Sequence, residues 1–382
     1  MKICYILDTD LNNGGAPISA HILAKEMAEN GNDVFLIMPE SKRDKKEIDE
    51  IKYIRLEKFN NTFPFELLHP IKFMRFLFEL GKQINKISPS IVHAQMPRSG
   101  RAVSILKKLG VIDKNIKLVF TDREYVIDLK KRYKVMYSKT ISSNFDMVIN
   151  LSNSSKKFWN DTLKMGRSAV IPNPGGKLFD EYKSKDYEFA LENFKNIPRG
   201  KVNIVFVGRM TWEKRWDLAK KVIYMINEKY KDFINIIIVL SCKNKELKKE
   251  VDEYENRFIG MDNVFIFRNL SQEKLSSIYY ISDIHVITSC RESFGRTAIE
   301  AMSRKTVVLS TDAGAIKETI GRADCITGDK PEEIIKYIER YLSDRKVLQD
   351  DKERFYDYYQ NKYTTTTNFK AHKNVYDELL NE

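Results

Sequence analysis

The chain has few of the features that mark membrane-spanning, secreted or metal-binding proteins. No run of about 18 apolar residues occurs in its 382 residues, so no membrane-spanning helix is expected. The N-terminal stretch MKICYILDTD lacks the long apolar core and the cleavage site of a signal peptide, and it predicts a buried first strand. The four cysteines lie far apart without metal-ligand spacing, which favours a reduced, cytoplasmic protein: Cys4, Cys242, Cys290 and Cys325.

The dinucleotide fingerprint Gly-x-Gly-x-x-Gly is also missing, which argues against a nicotinamide cofactor. In its place, NNGGAPIS joins the first apolar run to the first helical pattern. Gly14 and Gly15 allow the backbone to approach a ligand closely, and the following helix would offer free N–H groups to an anion. A plain strand-to-helix turn explains the two glycines equally well.

The composition is that of a soluble globular protein, with 42% hydrophobic and 31% charged residues. This length suits two domains of roughly 150–200 residues each. The formal net charge of +12 is compatible with nucleic acid, an anionic membrane or an anionic substrate as partner, or with a lysine-rich solvated surface. No nucleic-acid module is visible, so nucleic acid is not expected.

Short apolar runs alternate with longer helical patterns along the whole chain. KICYIL, DVFLIM, SIVHA and DMVINL belong to the first half, and VNIVFVG, INIIIVLS, DIHVITS and TVVLST belong to the second. This alternation predicts an α/β fold with two doubly wound parallel sheets that face each other across a cleft. The predicted parts are a first domain over 1–175, a linker over 176–199, a second domain over 200–360 and a helix over 361–382 that returns to the first domain.

A basic turn follows the first strand pattern of the second domain, in VGRMTWEKRWD. Arg209 comes directly after the apolar run, and Lys214 lies five residues later, before a helix. Two cations that converge on a helix N-terminus make a good clamp for a diphosphate. A solvated basic turn without a ligand is the alternative.

RESFGRTAIEAM places two carboxylates where a strand gives way to a helix. Glu292 lies in the loop after DIHVITSC, and Glu300 falls on the helical pattern Thr297–Met302. Carboxylates pair well with vicinal hydroxyl groups, as on ribose or a hexose. The pattern therefore favours a site that holds a sugar nucleotide at both ends, with two ordinary surface glutamates as the alternative.

These stretches together resemble the retaining glycosyltransferases of family 4, a large bacterial family with the GT-B fold. RESFGRTAIEAM matches that family's Glu–seven–Glu element with its Phe-Gly and Glu-Ala-Met. GGAP, VIPNPG, VGRMTWEKRWD and STDAGAIKETI match further elements in order, so that the resemblance spans nearly the whole chain. It implies two Rossmann-like domains, with the acceptor mostly on the first and the nucleotide-sugar donor mostly on the second.

The resemblance also implies roles for single residues. Glu300 would hold the ribose hydroxyls of the nucleotide, and Glu292 would hold hydroxyls of the donor sugar. Arg209 and Lys214 would neutralise the diphosphate as it leaves, and with Glu292 they form the implied catalytic set. The other implied donor-binding positions are Gly14, Gly15, Asn173, Phe294, Gly295, Arg296 and Thr297.

Some positions depart from the family pattern. Arg215 and Ala315 stand where glycine is common in the family. In VFTDREYV, Asp122 and Arg123 lie near the place where many relatives have a histidine beside the donor sugar. These two and His93, from IVHAQ, are the acceptor-side candidates, although a histidine satisfied by its neighbours is the more ordinary interpretation of His93.

No metal or other cofactor is expected. The stretch Asp8–Asp10 formally matches the Asp-x-Asp motif of metal-dependent glycosyltransferases, but that motif belongs to a different fold. Arg209 and Lys214 would supply a metal's charge. The implied reaction moves a sugar from UDP, or next from GDP, to a hydroxyl of a surface or wall glycan or of a lipid-linked acceptor, with its anomeric configuration retained.

The segment Phe63–Ile84 combines phenylalanines with lysine and arginine. Its apolar positions at helical spacing predict a core helix: Phe73, Phe76, Leu77, Leu80 and Ile84. The alternative is a surface of the first domain that docks on an anionic membrane, where a lipid-linked acceptor would be found.

Two other kinds of function remain open from the sequence. The fold also serves sugar phosphorylases, which need pyridoxal phosphate on a lysine, and nucleotide-sugar epimerases. The chain could instead be a non-catalytic glycan- or nucleotide-binding partner of another transferase. The presence of the arginine, the lysine and both glutamates argues against that second alternative.

Overall fold

The computed structural model describes residues 1–11, 15–40, 48–60, 62–63, 69–123, 144–162, 166–242 and 247–382. The chain divides into two compact units. The first consists of Met1–Pro174 with Thr365–Glu382, and the second consists of Gly175–Thr364. The segment 176–199, which the sequence analysis set apart as a linker, belongs to the second unit and contains the helix Ser184–Asn193.

The first unit is built on a parallel sheet in the order β3-β2-β1-β4-β5-β6-β7. Its strands are β1 Lys2–Ile6, β2 Asp33–Glu40, β3 Ile51–Asn60, β4 Ile91–Ala94, β5 Lys117–Thr121, β6 Met147–Asn150 and β7 Ser168–Val170. The described helices of this unit are Gly15–Glu29, Pro70–Ile87, Pro97–Lys108, Asn153–Thr162 and Thr365–Leu380.

Successive residues of β1 point to opposite faces of this sheet and enter two different cores. Ile3 and Tyr5 pack in a cluster with Leu23 of the helix Gly15–Glu29 and with Tyr376 of the last helix. Cys4 and Ile6 pack in the other cluster with the helix Pro70–Ile87 and the helix Pro97–Lys108. Both faces are therefore covered, as a parallel sheet requires.

The second unit is built on a parallel sheet in the order β10-β9-β8-β11-β12-β13. Its strands are β8 Val202–Arg209, β9 Ile234–Ser241, β10 Val264–Arg268, β11 Ile284–Ile287, β12 Val307–Thr311 and β13 Ile326–Thr327. Besides Ser184–Asn193, its described helices are Trp216–Tyr230, Lys248–Asn256, Gln272–Ile281, Arg296–Met302, Ile316–Ile320, Pro331–Ser343 and Arg345–Lys362.

The two sheets share one topology, because each reverses its strand order at the centre. The reversal lies between β1 and β4 in the first unit and between β8 and β11 in the second. Ligands of doubly wound folds bind outside the carboxyl ends of the strands at such a reversal. The prediction of two α/β units with parallel sheets is thus confirmed, and the topology indicates where each unit's site should lie.

The helix Pro70–Ile87 buries the predicted apolar positions, so the core interpretation of this segment is confirmed: Phe73, Phe76, Leu77, Leu80 and Ile84. Phe76 packs against Phe63 with ring centroids 4.2 Å apart. None of the helices in the described part of the chain is both long and apolar enough to cross a membrane.

Candidate functional site

The basic turn of the second unit lies at the carboxyl end of β8, beside the strand-order reversal. Arg209 is the last residue of β8, and Trp212–Lys214 form one turn of 3-10 helix. The Trp216 indole N–H donates to the carbonyl of Arg209 over 2.8 Å, which fixes the end of the strand. Arg215 adopts a φ of +49°, in the left-handed region that favours glycine, and this explains why glycine is common there in the family.

Lys214 forms a largely buried ion pair with the first of the two glutamates. Its Nζ lies 2.5 Å from Glu292 Oε1, and the two side chains are 15% and 10% exposed. Ser289 Oγ donates to the same oxygen over 2.8 Å. Both contacts fall on Oε1, so Glu292 Oε2 accepts no hydrogen bond from the described residues and can still accept one from a ligand.

Gly295 makes the turn between the two glutamates, with a φ of +87°. A Cβ atom at this position would lie 2.4 Å from Ile316 Cδ1, so a side chain would be both strained and crowded. Phe294 is buried beside it and packs edge to face on Tyr363. The turn is therefore fixed on both sides before the helix Arg296–Met302 begins.

Glu300 lies on that helix and is paired with Arg296, one turn earlier. Arg296 Nη2 and Nε lie 3.0 and 3.2 Å from Glu300 Oε1, and Nη2 also donates to the carbonyl of Gly175 over 3.2 Å. Burial raises the pKa of Glu300, and the neighbouring Arg296 charge opposes that rise. Glu300 Oε2 accepts no hydrogen bond from the described residues.

The two glutamates are therefore buried and paired, which contradicts their interpretation as ordinary surface residues. The structure brings Lys214 to Glu292 and Arg296 to Glu300, while Arg209 remains exposed near Glu213 at 3.5 Å. Because a buried carboxylate is costly without a partner, each cation stabilises the position of its glutamate.

Two residues of this site were missed in the sequence analysis. Thr288 and Ser289 follow β11 directly, and Thr288 Oγ1 donates to the carbonyl of Lys214 over 2.9 Å. Together they join the loop after β11 to the basic turn after β8. Their position gives the signal that could have found them, because polar residues directly after a buried strand lie at the ligand-binding edge of a parallel sheet.

In the first unit, Asp8 lies two residues after β1 and caps a helix. Its two carboxylate oxygens accept from the backbone N–H groups of Arg98 and Ser99, each over 2.7 Å. These N–H groups belong to the first turn of Pro97–Lys108, where they have no partner within the helix. This contact gives Asp8 a structural role, and Asp10 is also buried.

Of the two glycines predicted to approach a ligand, only Gly15 belongs to the described residues. Gly15 is the first residue of the helix Gly15–Glu29, and its carbonyl accepts from Ser19 Oγ over 3.0 Å. Gly14 lies outside the described residues. Among the residues that are described, no group of three or more His, Cys, Asp or Glu side chains is placed to hold a metal ion.

His93 is fully buried in a cluster of aromatic and hydroxyl groups. Its Nδ1 lies 2.6 Å from Tyr376 Oη, and its Nε2 lies 2.7 Å from Thr121 Oγ1. His372 packs near it, with ring centroids 6.0 Å apart. Burial lowers the pKa of His93 well below its usual value, with the charges of His372 and Arg123 acting in the same direction. The interpretation of His93 as satisfied by its neighbours is confirmed.

The other first-unit candidates form a second polar cluster. Arg123 Nε donates to Gln95 Oε1 over 2.7 Å, and its Nη1 donates to Asn173 Oδ1. Asp122, Arg123 and Asn173 are all buried. The structure thus joins an acceptor-side candidate, Arg123, to a donor-side candidate, Asn173.

Family models for glycosyltransferases match both halves of the chain. Residues 13–174 match the model described as Glycosyltransferase Family 4, and residues 189–361 match the model described as Glycosyl transferases group 1.

Several characterised and uncharacterised proteins are similar in sequence. An uncharacterized glycosyltransferase of Methanocaldococcus jannaschii is 26% identical over 70% of this chain and 66% of its own length. The phosphatidylinositol N-acetylglucosaminyltransferase GPI3 subunit of Saccharomyces cerevisiae is 21% identical over 59% of this chain and 50% of its own length. The chain thus spans half to two thirds of these two relatives. The lipopolysaccharide 1,2-N-acetylglucosaminetransferase of Salmonella typhimurium is 22% identical over 74% of this chain and 76% of its own length.

Solved structures share the fold. The sucrose-phosphate synthase of Thermosynechococcus elongatus has a TM-score of 0.82 at 19% identity, and the match covers 99% of this chain and 98% of that one. The HepE protein of Anabaena, solved in complex with UDP-glucose, has a TM-score of 0.78 at 14% identity, and the match covers 99% of this chain and 100% of that one. Given these folds and the two family models, the chain belongs to the glycosyltransferases of the GT-B fold.

Proposed function

We propose that the protein is a retaining glycosyltransferase that moves a hexosyl group from a UDP-sugar to a hydroxyl group of a cell-surface or wall glycan. The observation that carries this proposal is the pair of buried ion pairs after β8 and β11, Lys214 with Glu292 and Arg296 with Glu300. Two relatives are named as N-acetylglucosaminyl transferases, which supports a hexosyl group, and the UDP-glucose complex of one structural neighbour supports a UDP-sugar as donor.

The free carboxylate oxygens are suited to the two sugars of such a donor. Glu292 and Glu300 each use Oε1 for an internal cation and leave Oε2 to accept a hydrogen bond. In the proposed complex, Glu300 accepts from the ribose hydroxyls and Glu292 from hydroxyls of the transferred sugar. The two glutamates then fix the two ends of the donor, and the diphosphate lies between them.

Lys214 and Arg209 act on the leaving group. As the bond between the anomeric carbon and the diphosphate oxygen breaks, negative charge grows on the diphosphate, and a preorganised cation stabilises it. The acceptor oxygen bonds to the anomeric carbon on the same face, and its proton passes to the departing phosphate oxygen. This front-face route retains the configuration and needs no enzymic nucleophile.

The same two cations carry the proposal that no metal takes part. Metal ions in other transferases neutralise the diphosphate, and here Lys214 is already held at the site by Glu292, Thr288 and its own turn. Activity should therefore not depend on Mg²⁺ or Mn²⁺.

The proposed acceptor is located at an anionic membrane. The first unit is proposed to bind this membrane from the cytoplasmic side. The helix Pro70–Ile87 exposes three large apolar side chains on one stripe, Ile71 at 85%, Met74 at 64% and Phe78 at 70%. These are not the residues singled out in the sequence analysis, because the predicted set packs in the core. Large apolar residues exposed on one stripe mark an interaction surface.

The charges around this stripe favour a lipid surface with negative headgroups. Four exposed basic residues lie on the same helix, Lys72, Arg75, Lys82 and Lys86. Its one acidic residue, Glu79, is paired with Lys58 at 2.8 Å. A helix with an apolar stripe and a net positive charge lies well in the interface of an anionic bilayer.

Vesicle co-sedimentation tests this docking. The protein should sediment with phosphatidylcholine vesicles that contain phosphatidylglycerol and not with pure phosphatidylcholine, and high salt should release it. The double variant Ile71→Ser/Phe78→Ser should lose binding, whereas Ile259→Ser, at an exposed isoleucine of the second unit, should not. Equal binding of the double variant and the wild type would remove the stripe from the proposal.

Transfer of labelled sugar tests the function itself. The purified protein is incubated with labelled UDP-glucose, UDP-galactose or UDP-N-acetylglucosamine and a lipid and glycan extract of the source cells. Label should enter acceptor material with the wild type and not with Lys214→Ala, and NMR of the product should show the anomeric configuration of the donor. An inverted product would exclude the front-face route, and no transfer from any donor would favour the binding-partner alternative.

A further inference from the structure

Trp212 exposes a large aromatic ring at the rim of the proposed donor site. It is the first residue of the turn Trp212–Lys214 after β8, and 72% of it is exposed. The chain has three tryptophans, and the nearby Trp216 is buried. An indole offers one of the largest apolar surfaces of any side chain. Its exposure to water next to the proposed donor site indicates that the face of the ring contacts a ligand.

The backbone that carries Trp212 is held rigidly. The carbonyl of Glu213 accepts from the N–H of Cys290 over 2.9 Å, and the carbonyl of Lys214 accepts from Thr288 Oγ1 over 2.9 Å. Both donors belong to the loop after β11. The turn is thus tied to the loop that carries Glu292, and a ligand would meet a preorganised platform rather than a loose side chain.

A guanidinium group accompanies the ring. The central carbon of Arg291 lies 5.7 Å from the centroid of the Trp212 ring, within the range of a cation–π contact. Arg291 directly precedes Glu292 in the chain. The ring and the guanidinium therefore come from the same two loops that carry Lys214 and Glu292.

This combination suits a pyranose ring. One face of a pyranose presents polarised C–H groups, which pack on the electron-rich face of an indole, and its rim presents hydroxyl groups. A guanidinium has five N–H donors in a planar fork and binds hydroxyl, carboxylate and phosphate oxygens. A sugar that carries an acidic group would engage both members most fully.

We infer that Trp212 and Arg291 form a subsite for a pyranose ring of the acceptor, with a preference for an acidic sugar. This inference rests on the proposed function and deepens it by naming a substrate class. Glu300 would hold the ribose end of the donor, whereas Trp212 belongs to the turn of Lys214, which contacts Glu292 at the sugar end. A ring stacked on Trp212 thus lies beside the transferred sugar and not beside the nucleotide base.

Tryptophan fluorescence tests the subsite. The protein, saturated with UDP, is titrated with methyl β-glucopyranoside and with glucuronic acid at tens of millimolar. Both probes should change the emission of the wild type, glucuronic acid at lower concentration, and neither should change that of Trp212→Phe. Arg291→Gln should lower the affinity for glucuronic acid by about tenfold, as expected for the loss of one charged contact. Its affinity for methyl β-glucopyranoside should fall by less.

A matched variant and the nucleotide itself separate the possible outcomes. Phe233→Ala alters an exposed aromatic residue directly before β9, at the amino end of the strand, whereas Trp212 follows the carboxyl end of β8. This variant should keep the response to both probes. UDP affinity should be unchanged in Trp212→Ala. A loss of UDP affinity in that variant would assign the ring to the base, and the absence of any probe response in UDP-saturated wild type would overturn the subsite. A wild type that binds no nucleotide would instead overturn the proposed function.

Discussion

The glutamates of the second unit and His93 of the first unit are buried polar groups that are satisfied in different ways. In the second unit, two carboxylates beyond the ends of the strands are each paired with one cation: Lys214 with Glu292 and Arg296 with Glu300. In the first unit, His93 on β4 is neutral, and hydroxyl groups of Tyr376 and Thr121 occupy both of its ring nitrogens.

This difference decides which of the two clusters could take up a ligand without losing its internal contacts. Each glutamate of the second unit keeps one oxygen available, so a ligand can join the pair without breaking it. His93 has no such capacity, because a new hydrogen bond would have to displace Tyr376 or Thr121. The two ion pairs therefore support the proposed donor site, whereas the contacts of His93 give no support to an acceptor-side role.

The largest effect should come from Lys214→Ala, which removes the cation of the charged site. Turnover should fall by about 10²–10³, the range seen when one preorganised donor to developing charge is deleted. Steady-state kinetics with a saturating donor measure the change. Unchanged turnover would contradict the proposed role of Lys214 in stabilising the leaving diphosphate.

The control for this variant is Lys317→Ala, at an exposed lysine on the helix Ile316–Ile320 of the same unit, and it should keep full turnover. Because Lys214→Ala leaves a buried carboxylate without its partner, its thermal midpoint is measured as well. Lys214→Arg, which keeps the charge and changes the geometry, should regain part of the rate.

A drop in pH should destabilise the first unit through its buried histidines. Burial lowers the pKa of His372 to about 3, and the unfolded chain has a pKa of about 6.5, so between these values the unfolded state alone binds the proton. The free energy of unfolding should fall as the pH drops below about 6.5, by about 2 kcal/mol for this histidine between pH 7.5 and pH 5. Urea unfolding at the two pH values measures the loss.

His372→Gln removes this titration, so its unfolding free energy should depend less on pH than that of the wild type. His69→Gln, at an exposed histidine, should leave the wild-type pH dependence unchanged. If the unfolding free energy depended equally on pH in all three proteins, His372 would not be the source of the loss of stability at low pH.

Glu300→Gln should weaken nucleotide binding together with the rate. The variant loses the carboxylate that would accept from the ribose and leaves Arg296 without its ion pair, so UDP affinity should fall by about tenfold or more. Isothermal titration with UDP measures it, with Glu332→Gln as an exposed control. Unchanged UDP affinity with a lowered rate would move Glu300 from the ribose to another part of the donor.

The smallest effect should be that of a chelator. Turnover in EDTA should equal turnover in added Mg²⁺ or Mn²⁺, because Lys214 and Arg209 would take the place of a metal. A loss of activity in EDTA that added metal restores would contradict this part of the proposal.

The sequence was sufficient for the fold and for the positions that carry charge. Alternating apolar runs predicted the parallel sheets, and Gly295 with RESFGRTAIEAM predicted the turn and helix that hold Glu292 and Glu300. The burial of Glu292 and Glu300 and the identity of their ion-pair partners could not be predicted. Arg296 lies one helical turn from Glu300, a spacing that allows contact, but its position also depends on Gly175, whose carbonyl accepts from Arg296, and on Tyr363, which packs on Phe294. Both residues come from distant parts of the chain.

The same limit applies to the first unit. The periodicity of Pro70–Ile87 identified its buried face, whereas the exposed stripe at Ile71, Met74 and Phe78 followed only from the structure, because an amphipathic pattern does not reveal which apolar residues remain uncovered. Likewise, His93 and Tyr376 lie far apart in the sequence, and no local signal joins them.

The most direct test of the proposed donor site is thermal unfolding with UDP, GDP, ADP and dTDP, each in the presence of EDTA. A ligand at about 100 times its dissociation constant adds roughly 2.7 kcal/mol to the free energy of unfolding, which raises the midpoint by several degrees. We expect such a rise with UDP in the wild type and a smaller rise in Glu300→Gln. No rise with any of the four nucleotides would contradict it, because the paired glutamates would then hold no nucleotide in the free protein.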